Sequence, residues 1–431
     1  MKRILLVLLI TYNAVGVFAK GKNNSMVLEN PDTLQIAPVV VDTLATAALE
    51  ADSLQTDSVE MSAFNQVIEE SYVRWRYDLV QSDSCASLVW NDTLQKEDYV
   101  RYLSQMPTVI EMPYNQVVRS YIDSYVKKYP KRLSSLLALS KFYFPIFENA
   151  LEAGNLPLEL KYLPVIESAL NPSAKSYVGA AGLWQFMPAT GRLYGLEVNS
   201  LIDERCDPYK SSKAAVAYLK DLYQIYDDWM LVIAAYNCGP GNVNKAIRRS
   251  GGKRDYWDIY EYLPRETRGY VPAFIAANYA MYYAEELYHI CPSEVKLPLA
   301  TDTICVNYRV HLEQISDCLG VQIDELRRLN PQYRYDLVPG NTRSCVLCLP
   351  DDYAYKYLSN KDSIVAYKSE LISRKVENKI AMQTTYKVRA GDNLWTIAKK
   401  KGVSVAAIRK ANAPKLLNVL QIGQVIKLPV R

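Results

Sequence analysis

The chain has 431 residues, of which 49% are hydrophobic and 22% are charged, and its formal net charge is +4. This length is too great for one ordinary hydrophobic core and predicts two or three globular domains. So small a net charge gives no reason to expect nucleic acid as a partner.

The first 19 residues have the layout of a secretory signal peptide. A basic pair precedes an apolar run at 4–10, and the small residues Val17 and Ala19 precede the cleavage point. An uncleaved anchor is the alternative, although the run is short for a bilayer span. No other segment could cross a membrane, and the first cysteine, Cys85, is too distant for N-terminal lipid attachment. We therefore expect an exported protein of the periplasm or cell envelope, with no integral membrane segment after signal cleavage.

Residues 20–62 are predicted to form a disordered acidic tether, because acidic and small polar residues occur there without a clear period. Residues 63–298 are predicted to form one α-helical domain, since apolar residues such as Val118, Tyr121 and Ile122 recur at helical spacing. Asn171-Pro172 stops one of these helices, which places Glu167 near a helix C-terminus.

The stretch "ESALNPSAKSYVGAAGLWQFMPATGRLYGL" begins at Glu167 and contains no second acidic residue. Its glycines allow tight turns and close approach of the backbone to a ligand. Trp184, Gln185, Phe186 and Met187 offer flat apolar faces and an amide, which suit a sugar ring. A glutamate packed among such residues loses hydration, which raises the pKa of its carboxyl and makes it a proton donor to a glycosidic oxygen.

Ordinary glycosidases need a second carboxylate as nucleophile or as base for water. A substrate that carries its own nucleophile removes this need. In N-acetylmuramic acid the C6 hydroxyl can attack C1 while the same glutamate, now ionised, takes the hydroxyl proton. The product would be a 1,6-anhydro sugar, formed without water.

With "AAYNCGPGNV" and "LPRETRGYVP", this stretch resembles the lytic murein transglycosylases with a goose-lysozyme-like SLT catalytic domain, most closely the membrane-bound D type. The resemblance covers about half of the chain, and its three motifs occur in the family's order. It implies a lysozyme-like α-helical fold with Glu167 as the catalytic acid and base. Two departures are Leu170, where an aromatic residue is common, and the missing lipid-attachment cysteine of the D type.

The resemblance also implies a set of substrate-binding residues in the cleft. Ser168 would hold the glutamate or the sugar, and Met187 would line the cleft. Gln185 and Asn237 are expected to bind hydroxyl or acetamido groups. Tyr236 and Tyr270 are expected to pack beside the reacting ring.

Residues 301–350 and 384–431 form an internal repeat that reads strand, helix, helix, strand, and residues 351–383 between them are predicted to be a linker. The second copy is similar to a LysM module, a small βααβ glycan binder. This similarity implies glycan binding by Gly391, Asp392, Asn393, Leu394, Gln421 and Ile422. Opposite Gly391-Asp392 the first copy has Arg309-Val310, so we expect a degenerate LysM-like domain that keeps the fold without the binding loop.

Eight cysteines permit disulfides in an exported protein, but their spacing does not define the pairing. The lone Cys345-Val346-Leu347-Cys348 motif and the only two histidines, His289 and His311, do not form a metal-ligand pattern. We expect no metal, no cofactor and a monomeric protein.

The sequence therefore predicts a mainly α chain with small α+β domains at its C-terminal end. The function that it favours is an exported lytic transglycosylase acting on peptidoglycan glycan strands. A hydrolytic goose-type muramidase and a non-catalytic wall-binding scaffold are the alternatives. The presence of Glu167, Gln185, Tyr236 and Tyr270 together favours an enzyme.

Overall fold

The computed structural model describes residues 80–82, 94–298, 300–401, 403–412 and 420–428. The predicted signal peptide and acidic tether lie outside the described residues. Within the described residues the chain is mostly helical and ends in small units that contain strands, which confirms the predicted fold class.

Among its described residues, the helical region that contains Glu167 has twelve α-helices and two short strands. The elements are β1 Val80–Ser82, α1 Lys96–Gln105, α2 Gln116–Asp123, α3 Pro130–Ala153, α4 Leu163–Ser168, α5 Pro188–Leu193, α6 Pro208–Tyr226, α7 Trp229–Cys238, α8 Pro240–Arg249, α9 Tyr256–Ile259, α10 Arg265–Arg268, α11 Tyr270–Tyr282, α12 Ala284–Tyr288 and β2 Glu294–Val295. β1 pairs antiparallel with β2, so this region, which the sequence predicts to be helical, also contains one short antiparallel strand pair.

Local sequence signals account for where several of these helices begin. Proline, which lacks the N–H that a first turn leaves unpaired, opens α3, α6 and α8. The side chains of Asn115, Asp207 and Asp228 accept hydrogen bonds from first-turn N–H groups of α2, α6 and α7.

Helix α11 lies at the centre of the helical region. Nearly all of its side chains are buried, and it packs against α2, α3, α4 and α7. A helix that is apolar on every side is stable only when other helices surround it. Its first residue, Tyr270, is therefore held rigidly beside the end of α4.

The repeat region contains the remaining elements. They are β3 Thr301–Val306, β4 Arg309–His311, α13 Leu312–Leu319, α14 Ile323–Leu329, β5 Leu337–Pro339, β6 Cys345–Pro350, α15 Asp351–Ser359, α16 Lys361–Ala366, α17 Ser369–Thr384, β7 Thr385–Lys387, α18 Leu394–Lys401, α19 Val405–Asn412 and β8 Val425–Lys427. In the second copy β7 pairs antiparallel with β8, as the βααβ pattern predicts. In the first copy β3 pairs with β6, and a second antiparallel pair, β4 with β5, is added.

The first LysM-like unit extends beyond the predicted boundary at residue 350. Tyr357 on α15 and Ile364 on α16 are fully buried in the same apolar cluster as Val310 and Leu347. The first part of the predicted linker is thus core, because these side chains cover a face of the unit that would otherwise be exposed.

Two further properties concern the described residues only. Cys291 is disulfide-bonded, and the thiols of Cys206, Cys238, Cys305, Cys318, Cys345 and Cys348 are free. None of the described helices combines the length and apolarity needed to cross a bilayer.

Gly182 is the glycine that the fold requires most strictly. Its φ is +86°, and a Cβ placed there would lie 1.7 Å from the carbonyl oxygen of Arg205. Gly179 has a similar φ of +97°, but a Cβ there meets no atom within 4 Å. A substitution at Gly179 therefore tests backbone strain alone, whereas the same substitution at Gly182 tests backbone strain together with steric overlap.

We expect Gly179→Ala to lower the free energy of unfolding by about 1–2 kcal/mol, because only the left-handed backbone is penalised. Gly182→Ala should cost about 3 kcal/mol or more, since overlap with Arg205 adds to the same strain. Urea denaturation followed by circular dichroism measures both. Equal losses in the two variants would mean that contact with Arg205 does not impose glycine at position 182.

Candidate active site

Glu167 lies on the last turn of α4, as the sequence predicts. The helix ends at Ser168 because Ala169 and Leu170 adopt left-handed backbone angles, with φ of +50° and +61°. The N–H groups of both residues bond back to carbonyl oxygens of the helix, at 3.1 Å and 3.2 Å. This sharp reversal leaves the Glu167 side chain at the rim of the core.

The carboxyl of Glu167 has one hydrogen-bond partner, Tyr270, among the described side chains. The Tyr270 hydroxyl donates to Glu167 Oε1 at 2.5 Å. Burial raises the pKa of Glu167 to about 7, and the hydrogen bond from Tyr270 opposes this rise by stabilising the ionised form. Near neutral pH the carboxyl is therefore present in both protonation states.

A second carboxylate beside Glu167 would add a like-charge repulsion. Among the described residues the pKa of Glu167 responds to burial and to Tyr270, and no acidic neighbour contributes. In a retaining glycosidase two carboxyl groups stand about 5–5.5 Å apart. Among the described residues, Glu167 has no such carboxyl partner.

A row of tyrosines borders Glu167. The Tyr236 hydroxyl donates to the Trp184 carbonyl oxygen at 2.8 Å, and its ring lies 5.4 Å from that of Tyr218 on α6. Burial, followed by the nearby charge of Glu167, raises the pKa values of Tyr236 and Tyr270 well above the usual range. Both phenols are therefore neutral hydrogen-bond donors.

We call residues 174–187, which follow α4, the catalytic loop. Ala181 pairs with Lys175 and Phe186 through isolated β-bridges, and Gln185 adopts a left-handed φ of +47°. The Gln185 amide Nε2 donates to the Gly182 carbonyl oxygen at 2.7 Å. Gln185 is half-buried, and its amide nitrogen is used to close the loop.

Met187 ends the catalytic loop, and Asn237 follows Tyr236 on α7. Met187 is half-buried, and its backbone is extended before Pro188, as expected for a residue that precedes proline. Asn237 Oδ1 accepts a hydrogen bond from Thr267 Oγ1 at 2.9 Å, which ties α7 to α10.

The expectation that the rings of Trp184 and Phe186 face a sugar is wrong, and Ser168 does not bond the Glu167 carboxyl. Trp184 and Phe186 are buried in the core, and the Trp184 Nε1 donates to Ser212 Oγ at 3.0 Å, so neither ring offers a face to a sugar. The buried Ser168 hydroxyl contacts the carbonyl oxygens of Pro164 and Leu183, at 3.0 Å and 2.9 Å, and does not bond Glu167. Ser168 therefore joins α4 to the catalytic loop.

Tyr218 and Thr267 were not predicted as part of the site. Thr267 belongs to the quoted "LPRETRGYVP" stretch and could have been found there. Tyr218 lies within a long amphipathic helix, where nothing in the local sequence distinguishes it from a residue that packs in the core.

The predicted glycan-binding residues of the second LysM unit lie on two adjacent loops. Gly391, Asn393, Gln421 and Ile422 are exposed, and the Gly423 N–H donates to the Val388 carbonyl oxygen at 2.8 Å, which joins the loops. Trp395 beside them is 63% exposed, a platform that was not predicted.

Asp392 and Leu394 of this unit serve its structure. Asp392 Oδ2 accepts hydrogen bonds from the Tyr386 hydroxyl at 2.8 Å and the Arg389 N–H at 2.7 Å, and these bonds lower the pKa of its carboxyl. The Leu394 side chain is buried in the core of the unit, so the glycan contact predicted for this residue falls to its backbone.

No group of three or more side chains suited to metal binding occurs among the described residues. The described groups that border Glu167 include the neutral phenols of Tyr236 and Tyr270.

Three families match the chain in sequence. Residues 144–259 match the transglycosylase SLT domain, residues 300–366 the LysM-like domain of the lytic transglycosylase MltD, and residues 386–429 the LysM domain. The SLT match contains Glu167 and the catalytic loop, and it ends before Tyr270.

Two relatives and one solved structure are similar to the chain. The chain is 31% identical over 313 residues to "Membrane-bound lytic murein transglycosylase D" of Escherichia coli, covering 70% of this chain and 66% of that protein. It is 37% identical over 123 residues to the soluble lytic murein transglycosylase of Escherichia coli, covering 27% of this chain and 19% of that protein. The crystal structure of the 70 kDa soluble lytic transglycosylase from Escherichia coli superposes with a TM-score of 0.31 and 22% identity, covering 57% of this chain and 39% of that chain.

The chain thus spans about two thirds (66%) of the length of the D-type relative that it matches. The order of its three matched domains and its sequence identity to that relative both indicate the same family. The chain belongs to the lytic murein transglycosylase family of the D type, with an SLT domain followed by LysM-like and LysM domains.

Proposed function

We propose that the protein is an exported peptidoglycan lytic transglycosylase that cleaves the β-1,4 bond between N-acetylmuramic acid and N-acetylglucosamine. Glu167 acts first as acid and then as base, and the product ends in 1,6-anhydro-N-acetylmuramic acid. The observation that carries this proposal is a single carboxyl, raised to a pKa of about 7 by burial, with no acidic neighbour among the described residues.

The reaction needs one proton donor and no external nucleophile. Protonated Glu167 gives its proton to the bridging oxygen as the bond from C1 to that oxygen breaks. The C6 hydroxyl of the muramic ring forms a new bond to C1, and the Glu167 carboxylate takes its proton. The enzyme returns to its protonated state, and no water is consumed.

The hydrogen bond from Tyr270 gives the two carboxyl oxygens of Glu167 different roles. Oε1 accepts from the phenol, so Oε2 is the oxygen that we assign to the proton transfers. A pKa close to neutral suits a group that must donate and then accept, because neither protonation state is strongly favoured.

Substrate is held around Glu167 by the residues that border it. Tyr236 and Tyr270 contact the reacting ring, and Met187 lines the cleft. The free oxygen of the Gln185 amide and the Asn237 amide bind hydroxyl or acetamido groups. The second LysM unit holds a glycan strand on its two exposed loops, which keeps the enzyme at the wall of the cell envelope.

The first test replaces Glu167 by glutamine, which keeps the shape and removes the titrating proton. We expect murein cleavage to fall by about 10²–10⁴-fold or more, the usual contribution of a general acid and base. Binding to purified sacculi, measured by co-sedimentation, should be unchanged because the LysM loops are intact. Cleavage by the Glu167→Gln variant would contradict the assignment of Glu167. A wild-type protein that binds sacculi but does not cleave them would support the scaffold alternative.

The second test identifies the new ends of the glycan. Mass spectrometry of muropeptides released from purified peptidoglycan should show fragments lighter by one water than hydrolytic fragments, and borohydride should not reduce them. A goose-type muramidase from a commercial source provides the hydrolytic control. Reducible, hydrated ends from this protein would establish the muramidase alternative.

The third test uses pH to detect the contact between Tyr270 and Glu167. Because the acid must be protonated, kcat/KM should fall as the pH rises above about 7. Tyr270→Phe removes a donor that stabilises the carboxylate, so the pKa should rise and the alkaline limb should move to higher pH.

Tyr236→Phe is the matched control, since its hydroxyl donates to the Trp184 carbonyl oxygen. Its alkaline limb should stay in place even if its rate falls. A limb that does not move in Tyr270→Phe, or that moves equally in both variants, contradicts the proposed role of the phenol.

A further inference from the structure

We propose that the first LysM-like unit is a positioning element of the catalytic domain, and that its Arg334 fixes the catalytic loop through Asp203 and Arg205. The first unit would then contribute to the reaction through contacts with the catalytic domain. The second unit, by contrast, would contribute through contacts with glycan. The effect on catalysis rests on the proposed function, whereas the effect on the loop does not.

Residues 201–203 of the helical region pair with residues 332–334 of the LysM-like unit through a short backbone bridge. Ile202 pairs antiparallel with Tyr333, the Asp203 N–H donates to the Gln332 carbonyl oxygen at 2.8 Å, and the Arg334 N–H donates to the Leu201 carbonyl oxygen at 2.8 Å. The Ile202 side chain is 1% exposed and belongs to the apolar core of the LysM-like unit. The two regions thus share both backbone hydrogen bonds and core.

Two buried carboxylates lie at this junction. Asp203 accepts from Arg205 at 2.8 Å and 2.9 Å and from Arg334 Nη2 at 2.8 Å. Burial by itself would raise the pKa of Asp203, but the bonds and charges of Arg205 and then of Arg334 outweigh it, and the pKa is lowered. Asp203 is therefore a buried anion that two cations hold, one from each region.

Glu204 repeats this arrangement. Its Oε1 bonds Lys210 of α6 at 2.6 Å and Arg343 of the LysM-like unit at 2.5 Å. Arg343 lies between β5 and β6, the place that the Gln421–Gly423 loop occupies before β8 in the second copy. The loop that faces solvent in one copy thus bonds the catalytic domain in the other.

Arg205 transmits these contacts to the catalytic loop. Its Nη1 donates to the carbonyl oxygens of Gly179 at 2.7 Å and Phe186 at 2.8 Å, two residues of the loop that lie on either side of Ala181 in sequence. Between them is Gln185, and Trp184 in the same stretch accepts the hydroxyl of Tyr236. A shift of Arg205 would therefore move the groups that border Glu167.

The first copy lacks the exposed loop that the LysM similarity would need for glycan. Val310, which the repeat places opposite Asp392, is fully buried on β4. This observation agrees with a unit that keeps the LysM-like fold and uses it for a contact with protein.

The test compares the full-length wild type with Arg334→Ala, which removes one cation from Asp203. Hydrogen–deuterium exchange should become faster at the amides of the catalytic loop, and kcat on murein should fall about tenfold or more with little change in KM, because loss of positioning lowers the rate more than binding. Arg334→Lys, which keeps the charge, should restore part of both. Lys375→Ala is the matched control, since it breaks the exposed Lys375–Glu313 ion pair of 2.8 Å in the same part of the chain.

Arg343→Gln provides a milder variant if Arg334→Ala does not fold, because Arg343 is partly exposed and Glu204 keeps Lys210. It should show the same changes with a smaller amplitude. Unchanged loop exchange and unchanged kcat in variants that fold would overturn the proposal, as would equal effects in Lys375→Ala. If the wild type releases no product, the proposed function fails, and loop exchange alone still decides whether the unit positions the loop.

Discussion

The balance at the Glu167 carboxyl is the constraint on which the rest of the site depends. Burial opposes the charged form, and one hydrogen bond from Tyr270 partly compensates for it. With more donors the carboxyl would stay ionised, and without any it would stay protonated at neutral pH. One phenol beside a partly desolvated carboxyl places the pKa of Glu167 between these limits. At such a pKa a single carboxyl can both donate and accept a proton.

This balance requires two distant parts of the chain to meet with little freedom. Tyr270 opens a helix that is buried on all sides, and Glu167 ends a short helix whose chain direction is fixed by Ala169 and Leu170. Ser168 then fastens that helix to the catalytic loop. The hydroxyls of Ser168 and Tyr236 bond backbone carbonyl oxygens of the catalytic loop, so the loop is tied to both helices that border Glu167.

The features that depend on the local sequence pattern could be predicted from the sequence. The side-chain positions that depend on packing between distant residues could not. The helical periodicity and the βααβ pattern of the second LysM unit follow from neighbours along the chain, and they are found in the structure. The helix that carries Glu167 ends at Ser168, shortly before the predicted stop at Asn171-Pro172. The direction of Trp184 into the core and of Ser168 towards Leu183 depends on residues far away in sequence. The same holds for Tyr218, whose place beside Tyr236 is set by the crossing of α6 and α7.

The two copies of the repeat illustrate how stability and positioning can depend on the same contacts. A unit of about 50 residues buries too little apolar surface to be stable with a wide margin. The first copy enlarges its core with Ile202 from the helical region and with Tyr357 and Ile364 from the helices that follow it. Since Ile202 adjoins Asp203, the burial that stabilises the unit also brings Arg334 to the anion that orients Arg205. Docking and loop geometry are therefore coupled, and a change that weakens one should weaken the other.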